Sequence, residues 1–147
     1  MNGRVLTGLI VFLVSGAALS AQIDPELLKK AEGGDAFAQY NLGVMYDNGD
    51  GVIKDAAEAV KWYRKAAEQG NADAQCNLGV MYAKGDGVIK DLVEAHAWFN
   101  VAGANGVDGA KNNLKIIEKN MTREQIAEAT KLAKERFERI NASNAKR

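Results

Sequence analysis

The chain has 147 residues, and its 19 lysine and arginine residues are balanced by 19 aspartate and glutamate residues. This length suits one domain with a hydrophobic core. Because the net charge is zero, the sequence offers no general electrostatic attraction to nucleic acid or anionic lipid, and we predict neither as a partner.

Residues 1–21 have the three-part layout of a secretory signal peptide. Arg4 supplies a positive start, 5–14 form an apolar run, and a stretch of small residues follows. The apolar run is shorter than the roughly 20 residues that a membrane span requires. We therefore predict cleavage after Ala21, or after Ser20, and export of a mature chain without a membrane span to the periplasm or the medium. An uncleaved N-terminal anchor is the alternative.

Beyond this segment the chain repeats itself. Segments 34–69 and 70–105 align without a gap at an offset of 36 residues, and 21 of the 36 paired positions are identical. A partial third copy covers 106–118. A strict period of this length predicts a stack of repeated structural units.

Each full unit is predicted to hold two helices that pack as an antiparallel hairpin. They cover 36–47 and 56–69 in the first unit, and 72–83 and 92–104 in the second. Apolar side chains at helical spacing supply the inner faces. The side chains predicted to form these faces are Ala38, Leu42, Met45, Tyr46, Ala59, Trp62, Tyr63, Ala66, Ala95, Trp98, Phe99 and Ala102.

Helix starts are marked by side chains that accept backbone hydrogen bonds. Asp35 and Asn71 precede the first helices, and Asp55 and Asp91 precede the second helices. A glutamate follows three residues after each of the latter two, which predicts a capping box at both positions.

Glycines inside the first helices predict close packing. Gly43 and Gly79 each cost up to about 1 kcal/mol relative to alanine in a helix interior. Such a cost is tolerated where a neighbouring helix must approach closely. Gly70 and Gly106 stand after the second helices, where a left-handed residue often ends a helix.

The stretch DNGDGVIKD at 47–55 has some features of a calcium-binding loop, but its copy AKGDGVIKD at 83–91 lacks the ligands. With Gly51 at the sixth loop position, Tyr46 occupies the first position and Ala57 the twelfth, where calcium requires carboxylates. The glycines instead allow positive φ in a sharp turn. We therefore predict a connector between helices and no metal site.

Both ends of the chain are predicted to shield the stack. Residues 24–34 have Asp24 as a helix cap and Pro25 at the first helical position, as in the second helix of a preceding unit. Residues 122–140 begin with a threonine–glutamine capping box and have one apolar and one charged face, as a terminal cap requires. Residues 141–147 are predicted to be a polar tail.

The repeated pattern A-x-x-x-L-G-x-x-Y-x-x-G-x-G-V-x-x-D-x-x-x-A-x-x-W-[YF]-x-x-A resembles the Sel-one-like repeat, a relative of the tetratricopeptide repeat. The signature positions of the first copy are Ala38, Leu42, Gly43, Tyr46, Gly49, Gly51, Val52, Asp55, Ala59, Trp62 and Ala66, and each has an identical counterpart 36 residues later. The resemblance covers roughly 24–137. It implies that domain 22–140 is all-α: a right-handed α-solenoid of antiparallel helical hairpins with partial flanking repeats and a capping helix.

The resemblance also implies a protein-binding or adaptor role in envelope signalling, secretion or host contact, without catalysis or a cofactor. The nucleophile inventory agrees, because residues 22–147 contain one cysteine, Cys76, predicted to be partly buried, and one serine, Ser143, in the polar tail. The one histidine, His96, is predicted to lie at the surface or at an interface. A lone cysteine also excludes an internal disulfide.

The residues are compatible with two other functions. One is an envelope hydrolase that uses carboxylates, related to the exported, cysteine-rich members of the family that are associated with β-lactam binding or hydrolysis. Those members have a cysteine pair in each repeat, whereas this chain has a single cysteine, so their activity is not carried over directly. A structural or stress-related envelope protein without a defined partner is the second alternative.

The predicted binding surface is the concave side of the solenoid, which the first helix of each hairpin lines by analogy with related helical repeats. The positions on it that hairpin packing does not require are Phe37, Tyr40, Val44, Asp47, Asn48, Asp73, Cys76, Val80, Ala83 and Lys84. Phe37 and Tyr40 are the candidate anchors, because aromatic side chains supply much of the energy at interfaces. A core position for Tyr40 is the alternative. We expect a monomer that binds a protein or peptide.

Overall fold

The computed structural model describes residues 23–147, so the predicted signal peptide lies outside it. Within this range the chain forms seven α-helices, one 3₁₀ turn at Glu118–Asn120, and no β-strand. In chain order the helices are α1 (Pro25–Glu32), α2 (Ala36–Asn48), α3 (Ala56–Glu68), α4 (Ala72–Lys84), α5 (Leu92–Ala104), α6 (Asp108–Ile117) and α7 (Arg123–Asn144).

The helices form the predicted stack of hairpins. Helices α2 and α3 make the first unit, and α4 and α5 make the second, with each of α1 to α5 packed on the next helix. The first helices α2, α4 and α6 also contact one another in turn, so they share one face of the stack. The predicted all-α solenoid is confirmed.

The predicted inner faces form the core. Trp62, Tyr63, Trp98 and Phe99 are all buried, as are the alanines predicted to face them. A Cβ atom added to Gly43 would lie 2.5 Å from the Tyr63 ring, and one added to Gly79 would lie 2.7 Å from the Phe99 ring. The helix-interior glycines therefore make room for an aromatic ring of the same hairpin, which is the close approach predicted from the sequence.

Two buried glutamines, which the sequence analysis missed, link each unit to the one before it. Gln39 donates from Nε2 to the Ala31 carbonyl oxygen at 2.9 Å, and Gln75 donates to the Ala67 carbonyl oxygen at 3.1 Å. Gln39 and Gln75 are 36 residues apart, and the equivalent position of the third copy is Lys111. The series of glutamines therefore stops where the stack ends.

The predicted helix caps are present, but two of the capping boxes are only half formed. Asp55 accepts from the Glu58 amide at 3.0 Å, yet the Glu58 side chain does not return the bond. The Asp55 amide instead donates to the Tyr46 carbonyl oxygen at 2.9 Å, and Glu58 pairs with Lys61. In the second unit the Asp91 amide likewise donates to the Tyr82 carbonyl oxygen, at 3.0 Å, whereas Glu94 pairs with Arg136. The prediction of reciprocal boxes was therefore wrong, because the hairpin itself satisfies the cap amide.

The connectors between the helices of each hairpin are turns, as predicted. Gly49 and Gly85 have φ of 78° and 76°, and they end α2 and α4 in the left-handed conformation. Gly87 also has a positive φ, of 68°, and an added Cβ there would lie 2.3 Å from the Ala56 backbone. The connector of the second unit thus packs directly on the start of α3.

Helix α7 extends beyond the predicted cap. It starts with the complete Thr122–Gln125 capping box but continues to Asn144, so the predicted polar tail is helical over 141–144. The helix end is held against the first unit, where Asn144 donates to the Gln69 carbonyl oxygen at 3.1 Å and Arg147 donates to Gln69 Oε1 at 2.7 Å. These partners explain why the helix does not fray at residue 140.

Helix α7 lies across the second helices of both units. It packs along α5. There, Arg136 Nη2 donates to Glu94 Oε2 at 3.1 Å, and Arg136 Cζ lies 4.1 Å from the centroid of the Trp98 ring. Farther along, Arg139 pairs with Glu68 at the end of α3. We call α7 the strap, because it connects the second unit to the first.

His96 is buried rather than at the surface, with 2% of its area exposed. Its Nε2 lies 2.9 Å from Glu118 Oε1, and its Nδ1 lies 2.9 Å from Asn100 Nδ2. The histidine therefore ties α5 to the 3₁₀ turn. No helix within residues 23–147 is long and apolar enough to cross a membrane.

Candidate partner-binding face

The face shared by α2, α4 and α6 carries rows of like side chains at the repeat spacing. We call it the first-helix face. Val44, Val80 and Ile116 form an apolar row, and an asparagine row runs beside it. Val44 and Val80 are half-buried, whereas 60% of Ile116 is exposed. The asparagines are Asn41, Asn77 and Asn113.

Phe37 lies at the N-terminal edge of this face. It is 67% exposed, and with Asn41, Leu27 and Lys30 it borders a cavity of about 340 Å³ between α1 and α2. Hairpin packing does not use this ring. The structure therefore leaves it available, although it is separate from the centre of the face.

Tyr40 connects the two units at the centre of the face. Its ring is half-buried and packs against Tyr63 with 6.0 Å between the centroids. Burial, followed by the negative charge of Asp73, raises the pKa of Tyr40, and Cys76 adds a smaller effect. The structure therefore brings Tyr40, Asp73 and Cys76 together and gives Tyr40 a core contact and an exposed side.

Asp47 and Asn48 are engaged within the chain. The Tyr63 hydroxyl donates to Asp47 Oδ2 at 3.4 Å, and burial followed by the Asp47 charge raises the pKa of Tyr63. Asn48 is exposed and donates to Asp50 at 3.2 Å. Both side chains are thus weaker candidates for direct binding than the apolar row.

Three predicted residues of the second unit line one pocket. Val80, Ala83 and Lys84 on α4 face α6 across a cavity of about 180 Å³. The remaining lining residues are Phe99, Asn113, Ile116 and Ile117.

Sequence reasoning missed the contribution of α6. The third copy loses its repeat signature, so its residues were left out of the predicted surface. Asn113 and Ile116 nevertheless stand 36 residues after Asn77 and Val80. Continuing the offset through residue 116 would have found them.

Cys76 and His96 do not form a reactive site in the described part of the chain. Burial, followed by the charge of Asp73, raises the pKa of the Cys76 thiol, which disfavours the nucleophilic thiolate. Both ring nitrogens of His96 are engaged by neighbouring side chains. Residues 23–147 bring together no group of three or more histidine, cysteine, aspartate or glutamate side chains that could hold a metal ion.

The hairpin stack and its exposed first-helix face define a helical-repeat protein. The model of the Sel1 repeat family matches residues 36–71 and 72–107. The chain is therefore a Sel1-repeat protein, as the resemblance in the sequence indicated.

Known relatives are longer proteins. The chain is 44% identical over 62 residues to the secretory immunoglobulin A-binding protein EsiB of Escherichia coli O6:H1 (strain CFT073), a match covering 42% of this chain and 12% of EsiB. Its structure resembles that of a protective antigen of uropathogenic Escherichia coli strains with an SLR fold. That match has a TM-score of 0.76 and 39% identity, over 82% of this chain and 26% of the antigen.

A Sel1 repeat protein from Oxalobacter formigenes matches with a TM-score of 0.61 and 44% identity, over 62% of this chain and 26% of that chain. This chain thus spans about a quarter or less of each of these relatives. The shared part is the repeat stack.

Proposed function

We propose that this protein is an exported adaptor that binds an extended segment of a partner protein along the first-helix face. One observation carries the proposal. The helices α2, α4 and α6 present an apolar side chain and an asparagine at equivalent positions, as Val44, Val80 and Ile116 show for the apolar row. Because Ile116 is 60% exposed, packing of the fold does not explain an isoleucine at this position.

The chemistry of the two rows suits a polypeptide. An extended segment presents backbone donors and acceptors along its whole length, and asparagine amides can satisfy both kinds. The apolar row removes water from apolar side chains of such a segment and supplies affinity through burial. The mixed and balanced charge of the chain gives no comparable match to nucleic acid.

One relative supports a protein ligand without identifying the partner of this chain. The name of EsiB states that it binds an immunoglobulin, which is a protein ligand. Because this chain spans 12% of EsiB, we transfer only the kind of ligand and not its identity. The proposed partner is a protein or peptide.

Panning a random dodecapeptide phage library against residues 22–147 tests the binding face. We expect enriched peptides to bind the unaltered protein and to lose binding in Val80→Asp and Ile116→Asp, which place charge in the apolar row. Lys61→Ala on α3, outside the first-helix face, is the matched control and should keep binding. Peptides that bind all three variants equally would overturn the proposal.

Export and oligomeric state need separate measurements. We propose that residues 1–21 direct export. We expect the periplasmic fraction of a bacterial host to contain a chain whose intact mass matches a sequence that begins at Gln22. A chain retained in the cytoplasm with its N-terminus intact would contradict this.

We propose that the protein is a monomer. Light scattering on the purified protein should give the mass of a monomer, whereas a dimer mass would overturn this proposal.

A further inference from the structure

The pocket between α4 and α6 has an apolar interior and a basic edge. Phe99 and Ile117 are buried and form its floor, and Val80 and Ala83 form the α4 wall. Lys84 is exposed and is the charged member of the lining. The pocket has a volume of about 180 Å³, which is below the roughly 300 Å³ typical of small-molecule sites. This size suits a single side chain.

Differences between the two units explain why the second one has this space. In the first unit the Tyr63 hydroxyl donates to Asp47 at 3.4 Å, and this polar pair occupies the corresponding position. The second unit has Phe99 in place of the tyrosine and Ala83 in place of the aspartate. Both polar groups are therefore gone, and apolar surface remains without a partner.

A third difference sets the charge at the pocket edge. Lys84 stands where the first unit has Asn48. A lysine beside an apolar pocket favours a ligand that combines an apolar side chain with a nearby carboxylate. The three changes therefore act in one direction, since they clear a hydrophobic space and place a cation next to it.

We infer that this pocket binds a large aliphatic side chain of the partner segment, with an acidic residue beside it that pairs with Lys84. The inference rests on the proposed function and specifies the chemistry of the partner. Affinity comes mainly from burying the aliphatic group, because an exposed ion pair contributes little. Lys84 instead makes the pocket prefer a ligand whose neighbouring residue is acidic over one whose neighbouring residue is neutral. This preference weakens as salt is added.

The first unit supplies the test variants. Ala83→Asp combined with Phe99→Tyr restores the polar pair that the first unit already accommodates, so the double variant should fold with its pocket filled. Lys84→Asn restores the neutral residue of the first unit and changes only the edge. Circular dichroism and thermal unfolding check the folding of both.

The probe is the random dodecapeptide library, followed by synthetic peptides. We expect the unaltered protein to enrich an aliphatic residue next to glutamate or aspartate. The most enriched peptide, made with Glu and with Gln at that position, should bind about two- to fivefold more tightly as the Glu form in fluorescence anisotropy. Lys84→Asn should abolish this difference, and the pocket-filling double variant should lose most of the binding.

Two results would overturn the inference. Enriched peptides without the aliphatic–acidic pair would do so, as would a Glu-over-Gln preference that Lys84→Asn leaves intact. In either case the proposed function survives if Val80→Asp still abolishes binding, whereas a library with no enrichment overturns both. If the double variant fails to fold, Lys84→Glu decides, since it must reverse the preference towards a basic neighbour.

Discussion

Gly79 sits inside α4 because the Phe99 ring occupies the place of a side chain there. An added Cβ would lie 2.7 Å from that ring, and Phe99 is only 1% exposed. Gly79→Ala should therefore destabilise the protein by about 1–2 kcal/mol, since overpacking costs about 1–3 kcal/mol and the gain in helix propensity returns at most about 1 kcal/mol. Urea unfolding followed by circular dichroism measures the change.

Gly109 provides the matched control for this substitution. It lies in α6, and nothing stands within 4 Å of an added Cβ. Gly109→Ala should leave stability unchanged or raise it by up to about 1 kcal/mol. If both alanine variants behave alike, steric exclusion by Phe99 is not the reason for Gly79.

The Cys76 thiol should react slowly in the folded chain. Burial and the Asp73 charge raise its pKa, so at pH 8 a smaller fraction is thiolate than in an unfolded chain. Iodoacetamide should therefore alkylate the folded protein more slowly than the same protein in urea, and raising the pH should speed the folded reaction. Asp73→Asn should accelerate it as well. Equal rates in the folded and unfolded chains would contradict this account.

At the scale of elements, the differences between the two units record where α7 packs. On the outer side of α3 the chain has Lys61 and Lys65, and at the equivalent positions of α5 it has Ala97 and Val101. Ala97 and Val101 are at most 1% exposed, because α7 covers them. The charged side chains of the first unit are replaced by apolar ones at the positions on which the strap rests.

Ala97→Lys should therefore disrupt the docking of α7. The lysine would have to place its charge under the strap, and we expect a loss of at least about 2 kcal/mol in unfolding free energy. A red shift of tryptophan emission should accompany it, because Trp98 lies beneath Arg136 of the strap.

The control for Ala97→Lys is Lys61→Ala, at the equivalent position of the first unit. The Lys61 side chain is 65% exposed, so its removal should leave the unfolding midpoint and the emission spectrum unchanged. If Lys61→Ala strongly lowers the unfolding midpoint, or if Ala97→Lys leaves it unchanged, the docking of α7 does not require apolar side chains on α5.

The sequence predicted the hairpin helices, their N-cap residues and the apolar core, because each of these depends on local spacing that the repeat displays twice. It did not predict the buried polar residues Gln39, Gln75 and His96. The packing of α7 was not predicted, since it depends on contacts between distant parts of the chain such as Arg139 and Glu68. The contribution of Ile116 was missed for another reason. Its neighbours have lost the signature, although the residue itself keeps the offset.

At the scale of the whole molecule, the strap helps two units behave as one domain. Solenoids usually need about three repeats, because each unit is stabilised mainly by its neighbours. Here α7 covers α5 and also contacts the end of α3 through Arg139 and Asn144. A contact that bypasses α4 couples the first unit to the second more strongly than a nearest-neighbour stack would.

Removing residues 139–147 should therefore uncouple the two units. Trp62 reports on the first unit and Trp98 on the second, so Trp98→Phe and Trp62→Phe give proteins with one fluorescent reporter each. With the full strap, both reporters should unfold at the same urea concentration. After truncation, the Trp62 reporter should unfold first, because the first unit loses the contacts of Arg139, Ile140 and Asn144, while Arg136 still holds the second. Coincident midpoints in the truncated chain would show that the α3–α4 interface alone makes the two units cooperative.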